Sequence, residues 1–235
     1  MSSFAQSKKA RRGTEVLCER LFRPLAHAVV VPLAWLRVPP PAVVLLAAAV
    51  GIAGAVELAR GHFVAAALLV QLKTVLDNAD GQLARLSDRV TAFGRYLDSE
   101  CDLLVNAALF AALRTPLAAP GFVLLTLVLS TNFNVERLAR GGVAAWDSSV
   151  LGRAYGLLYG WQDRLADRLL GGRVVQPWQV SALANLGMST QLAAFGLCMA
   201  LGHPTAFVWV LVCEAVGVAA LLTIQPKQEV SLEHR

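Results

Sequence analysis

The sequence predicts an all-α integral membrane protein with six transmembrane helices and an N-terminal interfacial amphipathic helix. Composition carries the first part of that expectation. Of 235 residues, 56% are apolar and only 16% are charged, too few surface-type residues for a soluble domain of ordinary composition. Periodicity carries the rest. Apolar stretches at 40–59, 62–84, 95–115, 118–138, 177–201 and 204–225 each approach the ~20 residues a helix needs to cross a bilayer. Nothing alternates with the two-residue period of a barrel strand, and backbone polar groups in lipid must be satisfied internally.

The elements follow in order. Residues 1–13 are basic and polar, while 14–36 mix Leu, Phe, Val and Trp with Arg20, Arg23 and two prolines, a pattern that suits a helix lying in the membrane interface. Val38-Pro39-Pro40-Pro41 cannot continue a helix, because proline lacks the amide donor and restricts the residue before it, so it marks the entry to span one. Spans two, three and four contain polar residues. Gly141-Gly142 ends span four, and the connection that follows carries Tyr155, Tyr159, Trp161, Arg164 and Arg168, again interfacial in character, before Gly171-Gly172. Nothing repeats at a fixed period. The expected organisation is a basic N-terminal segment with its interfacial helix (1–37), one six-helix transmembrane domain (38–225) and a cytoplasmic tail (226–235).

Charge orients the bundle. With the N-terminus taken as cytoplasmic, 18 of the 21 Lys and Arg residues fall in inside segments, only Arg60 and Arg114 fall outside, and Lys73 lies within a span. Both termini and the loop after span two are therefore expected on the cytoplasmic side of the cell (plasma or inner) membrane. The net charge of +5 speaks for anionic headgroups and membrane lipids as partners, not for nucleic acid, because the basic residues flank spans and form no nucleic-acid-binding motif. The first twenty residues are mostly polar and no secretory signal peptide is visible. Cys18, Cys101, Cys198 and Cys213 have no paired metal spacing, and burial in or near spans is their expected fate.

The chemistry concentrates between Asp77 and Asp102. Asp77 and Asp80 are i and i+3, and Asp98 and Asp102 are i and i+4, so on helices each pair projects from one face. Two such helices facing each other bring four acids to one point, where mutual repulsion opposes ionising them together. Divalent cations remove that conflict. Hard ions such as Mg²⁺ prefer oxygen ligands, and two of them roughly 3.5–4 Å apart suit chemistry on a phosphoryl group.

The pattern Asp77-x-x-Asp80-Gly81-x-x-Ala84-Arg85-x8-Gly94-x-x-x-Asp98-x-x-x-Asp102 resembles the signature of the CDP-alcohol phosphatidyltransferase family, and all eight defining positions match. The motif covers only 26 residues, but six spans with the motif across the second and third also look like the family's organisation. The resemblance implies transfer of a phosphoalcohol from a CDP-linked donor, usually CDP-diacylglycerol, to the hydroxyl of a polar alcohol acceptor, with release of CMP, by a homodimer. It implies that Asp77, Asp80, Asp98 and Asp102 hold two divalent cations, Mg²⁺ or Mn²⁺, and that Asp102 also serves as general base. Spacing alone does not separate Asp102 from Asp77 in that role. The donor-binding set implied is Asp77, Asp80, Gly81, Ala84, Arg85 and Gly94. In it, Gly81 and Ala84 let the nucleotide approach the backbone, Gly94 lets two helices pack, and the planar guanidinium of Arg85 meets phosphate.

Outside the motif the signals are weaker. Arg137, Arg140 and Arg153 lie on the expected cytoplasmic side, where an acceptor carrying its own phosphate needs cationic partners; interfacial anchoring explains them equally well. Lys73 and Glu214 fall at similar depth in spans two and six. Intramembrane charge demands a partner, and the expected arrangement is a structural pair between them. The alternative is that Lys73, four residues before Asp77, holds that acid. Asn106 and Asn134 are candidates to face the same cavity. Asp88, Asp147, Asp163 and Asp167 read as solvated loop acids, and the four histidines form no ligand set. Among competing functions, a prenyltransferase of the polyprenyl type leaves Gly-x-x-Ala-Arg foreign, and a transporter using intramembrane carboxylates leaves Gly81, Ala84 and Arg85 unexplained.

Overall fold

Prolines set where the first helices begin. In the computed structural model, which describes residues 13–139 and 176–224 together with eight single residues between 153 and 168, a π-helical turn, Cys18–Phe22, runs into helix α1, Arg23–Trp35, with a proline in its first turn. Arg37 then takes a left-handed conformation (φ 56°) and Pro39 is extended, which turns the chain into α2, Pro40–Ala59, again with proline at the first helical positions. Gly61, at φ 82°, makes the tight turn into α3, Phe63–Leu86. Thr91 caps α4, Ala92–Ala112, by accepting a hydrogen bond from the Gly94 N–H at 2.9 Å. The remaining helices are α5, Ala118–Ala139; α6, Pro177–Ala184; α7, Met188–Ala200; and α8, Ala206–Thr223. No strand occurs among the described residues.

These helices track the expected apolar stretches closely. α2, α5 and α8 are each long and apolar enough to cross a membrane, and α6 with α7 makes a fourth such segment if the bent pair is one span. α3 and α4 have the length, 24 and 21 residues, but carry more charged side chains than α2, α5 and α8. The single helix expected at 177–201 is corrected: it breaks between Ala184 and Met188, and its halves are bent by 41°. Asn185 explains the break, since its side-chain amide donates to Thr14 O (2.9 Å) and Ser181 O (2.8 Å) while its Oδ1 accepts from Val16 N (2.8 Å). A polar side chain so engaged stitches the N-terminal segment into the gap.

α3 lies at the centre, packed on α1, α2 and α7, while α2 also meets α4, and α5 meets α8. The main core gathers Ala66, Ala67 and Val70 of α3 with Leu109 and Phe110 of α4, Leu192 and Phe195 of α7, and Phe207 and Leu211 of α8. Phe195 and Phe207 stack with centroids 4.6 Å apart. A second core joins Ala26 and Val30 of α1 to Val43 of α2 and Ala79 and Leu83 of α3. Residues 16–35 are thus helical and docked on the bundle. Arg23, expected among the interfacial charges, is buried and ion-paired with Glu19, while Leu21, Leu25, Val31 and Trp35 form the exposed face. The four cysteines form no disulfide with one another; Cys18 is buried and Cys213 exposed. Gly141-Gly142, Tyr155, Tyr159, Asp147, Asp163, Asp167, Gly171-Gly172 and the 226–235 tail lie outside the described residues.

Candidate active site

Helical spacing and the facing of α3 and α4 build the site. Asp77 and Asp80 project from α3, Asp98 and Asp102 from α4, as i,i+3 and i,i+4 pairs do. Asp77, Asp98 and Asp102 each offer a carboxylate oxygen, and these three atoms lie within 4.8 Å of one another. All three residues are half-buried. Asp80 stands outside that trio and is more enclosed, 5% exposed, with Oδ2 lacking a hydrogen-bond partner among the described residues. Three converging oxygens and one orphaned buried carboxylate oxygen are a hard, all-oxygen donor set. They fit divalent Mg²⁺ or Mn²⁺ better than softer metals.

A cation of the chain's own already touches the cluster. Lys73, 2% exposed, donates from Nζ to Asp77 Oδ1 at 3.0 Å and to Asp102 Oδ1 on the facing helix. The structural pair expected between Lys73 and Glu214 does not form. Glu214 instead accepts from Gln191 Nε2 at 2.6 Å. Depth along a span says nothing of direction around it: Lys73 shares the Asp77 face of α3, whereas α8 packs on α5 and α7.

Beside the acids lies a cavity of about 370 Å³. Asp80, Gly81, Ala84 and Arg85 of α3 line it with Gly94 and Asp98 of α4, so every expected donor-binding residue except Asp77 borders it. Asp98 belongs both to the cavity wall and to the acid trio. Pro40, Pro41 and Val44 of α2 add an apolar part to the lining. Arg89, Thr91 and Arg95, outside the set expected from the sequence, also line the cavity. Arg95 follows Gly94 directly, and Arg89 sits in the loop between the two halves of the motif, so adjacency was the available signal.

Two glycines of the motif have close neighbours within three or four residues of themselves. A Cβ built on Gly81 would lie 3.3 Å from Arg85 Nη1, so the space above that backbone holds the guanidinium one turn on. At Gly94 the close neighbour of such a Cβ is Thr91 Oγ1 (3.1 Å), not a facing helix. That glycine makes room for the cap. Close helix packing occurs instead at Gly51 of α2, where a Cβ would come 3.2 Å from Lys73 Cγ and overlap Val105.

The acceptor candidates are not gathered in the same way. Arg137 is half-buried in the last turn of α5, Arg153 is exposed, neither lines the cavity, and Arg140 lies outside the described residues. Asn106 is buried and donates to Met188 Sδ (3.6 Å), and Asn134 donates to Ser130 O (3.0 Å); neither borders the cavity.

Residues 28–154 match the family described as CDP-alcohol phosphatidyltransferase, more than half of the chain and the whole of the acidic motif. The chain belongs to that family. Membership in the CDP-alcohol phosphatidyltransferases accounts for the eight motif positions together, including Gly81, Ala84 and Arg85, which metal binding alone does not require. The chain is also similar to the phosphatidylinositol phosphate synthase of Corynebacterium glutamicum, 36% identical over 93 residues, an alignment covering 37% of this chain and 42% of that protein. It thus spans less than half the length of that relative. The family match ends before α6, so the broken helix and α8 lie beyond it.

Proposed function

We propose that this protein transfers a phosphatidyl group from a CDP-linked donor, CDP-diacylglycerol, to the hydroxyl of a polar alcohol and releases CMP. The observation that carries this reading is the adjacency of the acid cluster on α3 and α4 to a cavity walled by Arg85, Arg89 and Arg95. An anionic diphosphate needs cationic walls, and its cleavage needs charge neutralised where it develops.

Asp77, Asp80, Asp98 and Asp102 would hold two divalent cations, Mg²⁺ or Mn²⁺, which when bound polarise the diphosphate and offset the charge on the departing CMP. The chain's own residues would do the rest. Asp102 takes the proton from the acceptor hydroxyl as that oxygen attacks the phosphorus of the phosphatidyl group. Arg85, a fixed planar donor fork, orients the donor's phosphates in the cavity. Pro40, Pro41 and Val44 exclude water from one side of it and so strengthen every polar contact inside.

For the acceptor we favour a phosphorylated polyol. Arg137, Arg140 and Arg153 are the proposed cationic partners for such a group, and the Corynebacterium relative is named a phosphatidylinositol phosphate synthase. The architecture that goes with this function has six spans, with α3 and α4 crossing as well as α2, α5, α6–α7 and α8. The docked N-terminal helix lies at the membrane surface with Leu21, Leu25, Val31 and Trp35 toward lipid, and the site faces the cytoplasm. Charged side chains on α3 and α4 are tolerable there because they face the bundle interior and one another. A homodimer is the proposed assembly.

The test is CMP release by the purified protein in lipid or detergent with CDP-diacylglycerol and Mg²⁺, against glycerol 3-phosphate, inositol 1-phosphate, inositol and serine. Release that depends on a phosphorylated acceptor supports the whole proposal. Release with serine or inositol instead keeps the transferase and removes the acceptor assignment. No release from folded, metal-loaded protein with any acceptor counts against the donor proposed.

A further inference from the structure

Burying a lysine inside a helical bundle is expensive, and one carboxylate is enough to neutralise it. Lys73 has two, from different helices. Its ammonium bonds Asp77 one turn along α3 and Asp102 across on α4, and in each case the oxygen engaged is Oδ1, so the second oxygen of each carboxylate is outside the lysine's hydrogen bonds. Its stem is fixed as well, because the missing side chain of Gly51 on α2 leaves the space into which Lys73 Cγ fits. Three helices are thus registered on one side chain at the acid cluster.

We propose that Lys73 is a positioning residue that fixes the side chains of Asp77 and Asp102, so that the acid cluster is already arranged to receive divalent cations. The inference rests on reading those acids as cation ligands. It also adds a charge the motif does not supply: four carboxylates with two divalent cations are neutral together, and Lys73 leaves that assembly with one net positive charge facing an anionic diphosphate.

Charge and geometry make opposite predictions, which is what allows a test. A lysine that merely neutralised the acids would compete with a metal, and its removal would tighten metal binding. A lysine that positions them does the reverse. Partners that orient metal ligands typically change affinity by about 10–100-fold when removed. The experiment titrates Mn²⁺ into the purified full chain in detergent, following the free-ion paramagnetic resonance signal, for wild type, K73M and K73R, alongside CMP release as a function of Mg²⁺. We expect K73M to weaken Mn²⁺ binding by about tenfold or more and to raise the half-saturating Mg²⁺, with K73R recovering part of both. Binding that is unchanged or tighter in K73M overturns the proposal, as does wild-type protein that binds no Mn²⁺.

Should K73M fail to fold, G51A/V105A keeps the charge, relieves the overlap with Val105 and presses on the lysine stem alone. It is expected to weaken Mn²⁺ binding severalfold, and full affinity in it overturns the proposal. Wild type that binds Mn²⁺ but turns over no CDP-lipid removes the proposed activity without touching the positioning result, since the metal titration does not depend on turnover.

Discussion

Lys73 and Asp102, 29 residues apart in sequence and on different helices, are joined by a direct hydrogen bond within the acid cluster. The bond ties α3 to α4 where chemistry is proposed. It engages Oδ1 of Asp102, so the second oxygen of that carboxylate lies outside the lysine's hydrogen bonds.

Replacing Asp102 with Asn is expected to lower CMP release by about 100-fold or more, since removing a general base costs 10²–10⁴-fold and the amide also removes one ligand charge. Size-exclusion profile and circular dichroism should match wild type because volume hardly changes. Retained full activity would sink the assignment of Asp102.

Chelation is expected to stop CMP release, and Mg²⁺ or Mn²⁺ to restore it. A ligand that binds only the native state stabilises it by RT ln(1 + [L]/Kd), about 2.7 kcal/mol at a hundredfold excess over Kd. Thermal unfolding in detergent should therefore shift upward with added Mg²⁺ in wild type and not in a D77N/D98N variant. Equal shifts in both would place the bound ion elsewhere.

Arg85→Ala is expected to raise KM for the CDP-linked donor and lower kcat/KM by roughly 10–100-fold, the loss of a charge-assisted hydrogen bond worth about 1.5–3 kcal/mol. Arg85→Lys should recover little, because an ammonium cannot reproduce the planar fork. Donor kinetics at saturating acceptor separate this from an acceptor effect. An unchanged donor KM with a raised acceptor KM would move Arg85 to the other substrate.

Gly51→Ala is expected to destabilise the bundle by about 1–3 kcal/mol, the usual cost of overpacking, because the new Cβ would come within 2.5 Å of Val105 Cγ1. A lowered unfolding midpoint in detergent that V105A partly restores would establish the contact. An unchanged midpoint would mean α2 and α4 do not pack this closely.

Topology is checked with membrane-impermeant thiol reagents on sealed vesicles. Cysteine in place of Arg89, in the loop after α3, should label from the cytoplasmic side, and cysteine in place of Arg114, after α4, from the opposite side. Labelling of both from one side would remove the six-span arrangement.

Much of the site was legible without coordinates because its signal is local. Spacings of three and four residues decide which side chains share a helix face, so the two acid pairs could be placed from order alone, while Gly81, Ala84 and Arg85 stood out only through the family resemblance. Helix ends were legible for the same reason, as at the prolines before α2. Arg89 and Arg95 were harder, since a loop arginine and one beside a glycine look like any membrane-flanking charge until a cavity closes around them.

The sequence by itself determined the helical membrane class, the family motif and the four acids, because the cost of burying backbone and charge in lipid and the period of the helix act over a few residues. Only the tertiary structure decided what faces what. It brought Lys73 to Asp102 instead of Glu214, fitted Gly51 against the lysine stem, and broke the helix at Asn185 to take in the N-terminal segment. Each of these depends on the rotation of one helix about its axis relative to another. That angle is fixed by the packing of side chains far apart in the chain, which no local spacing encodes.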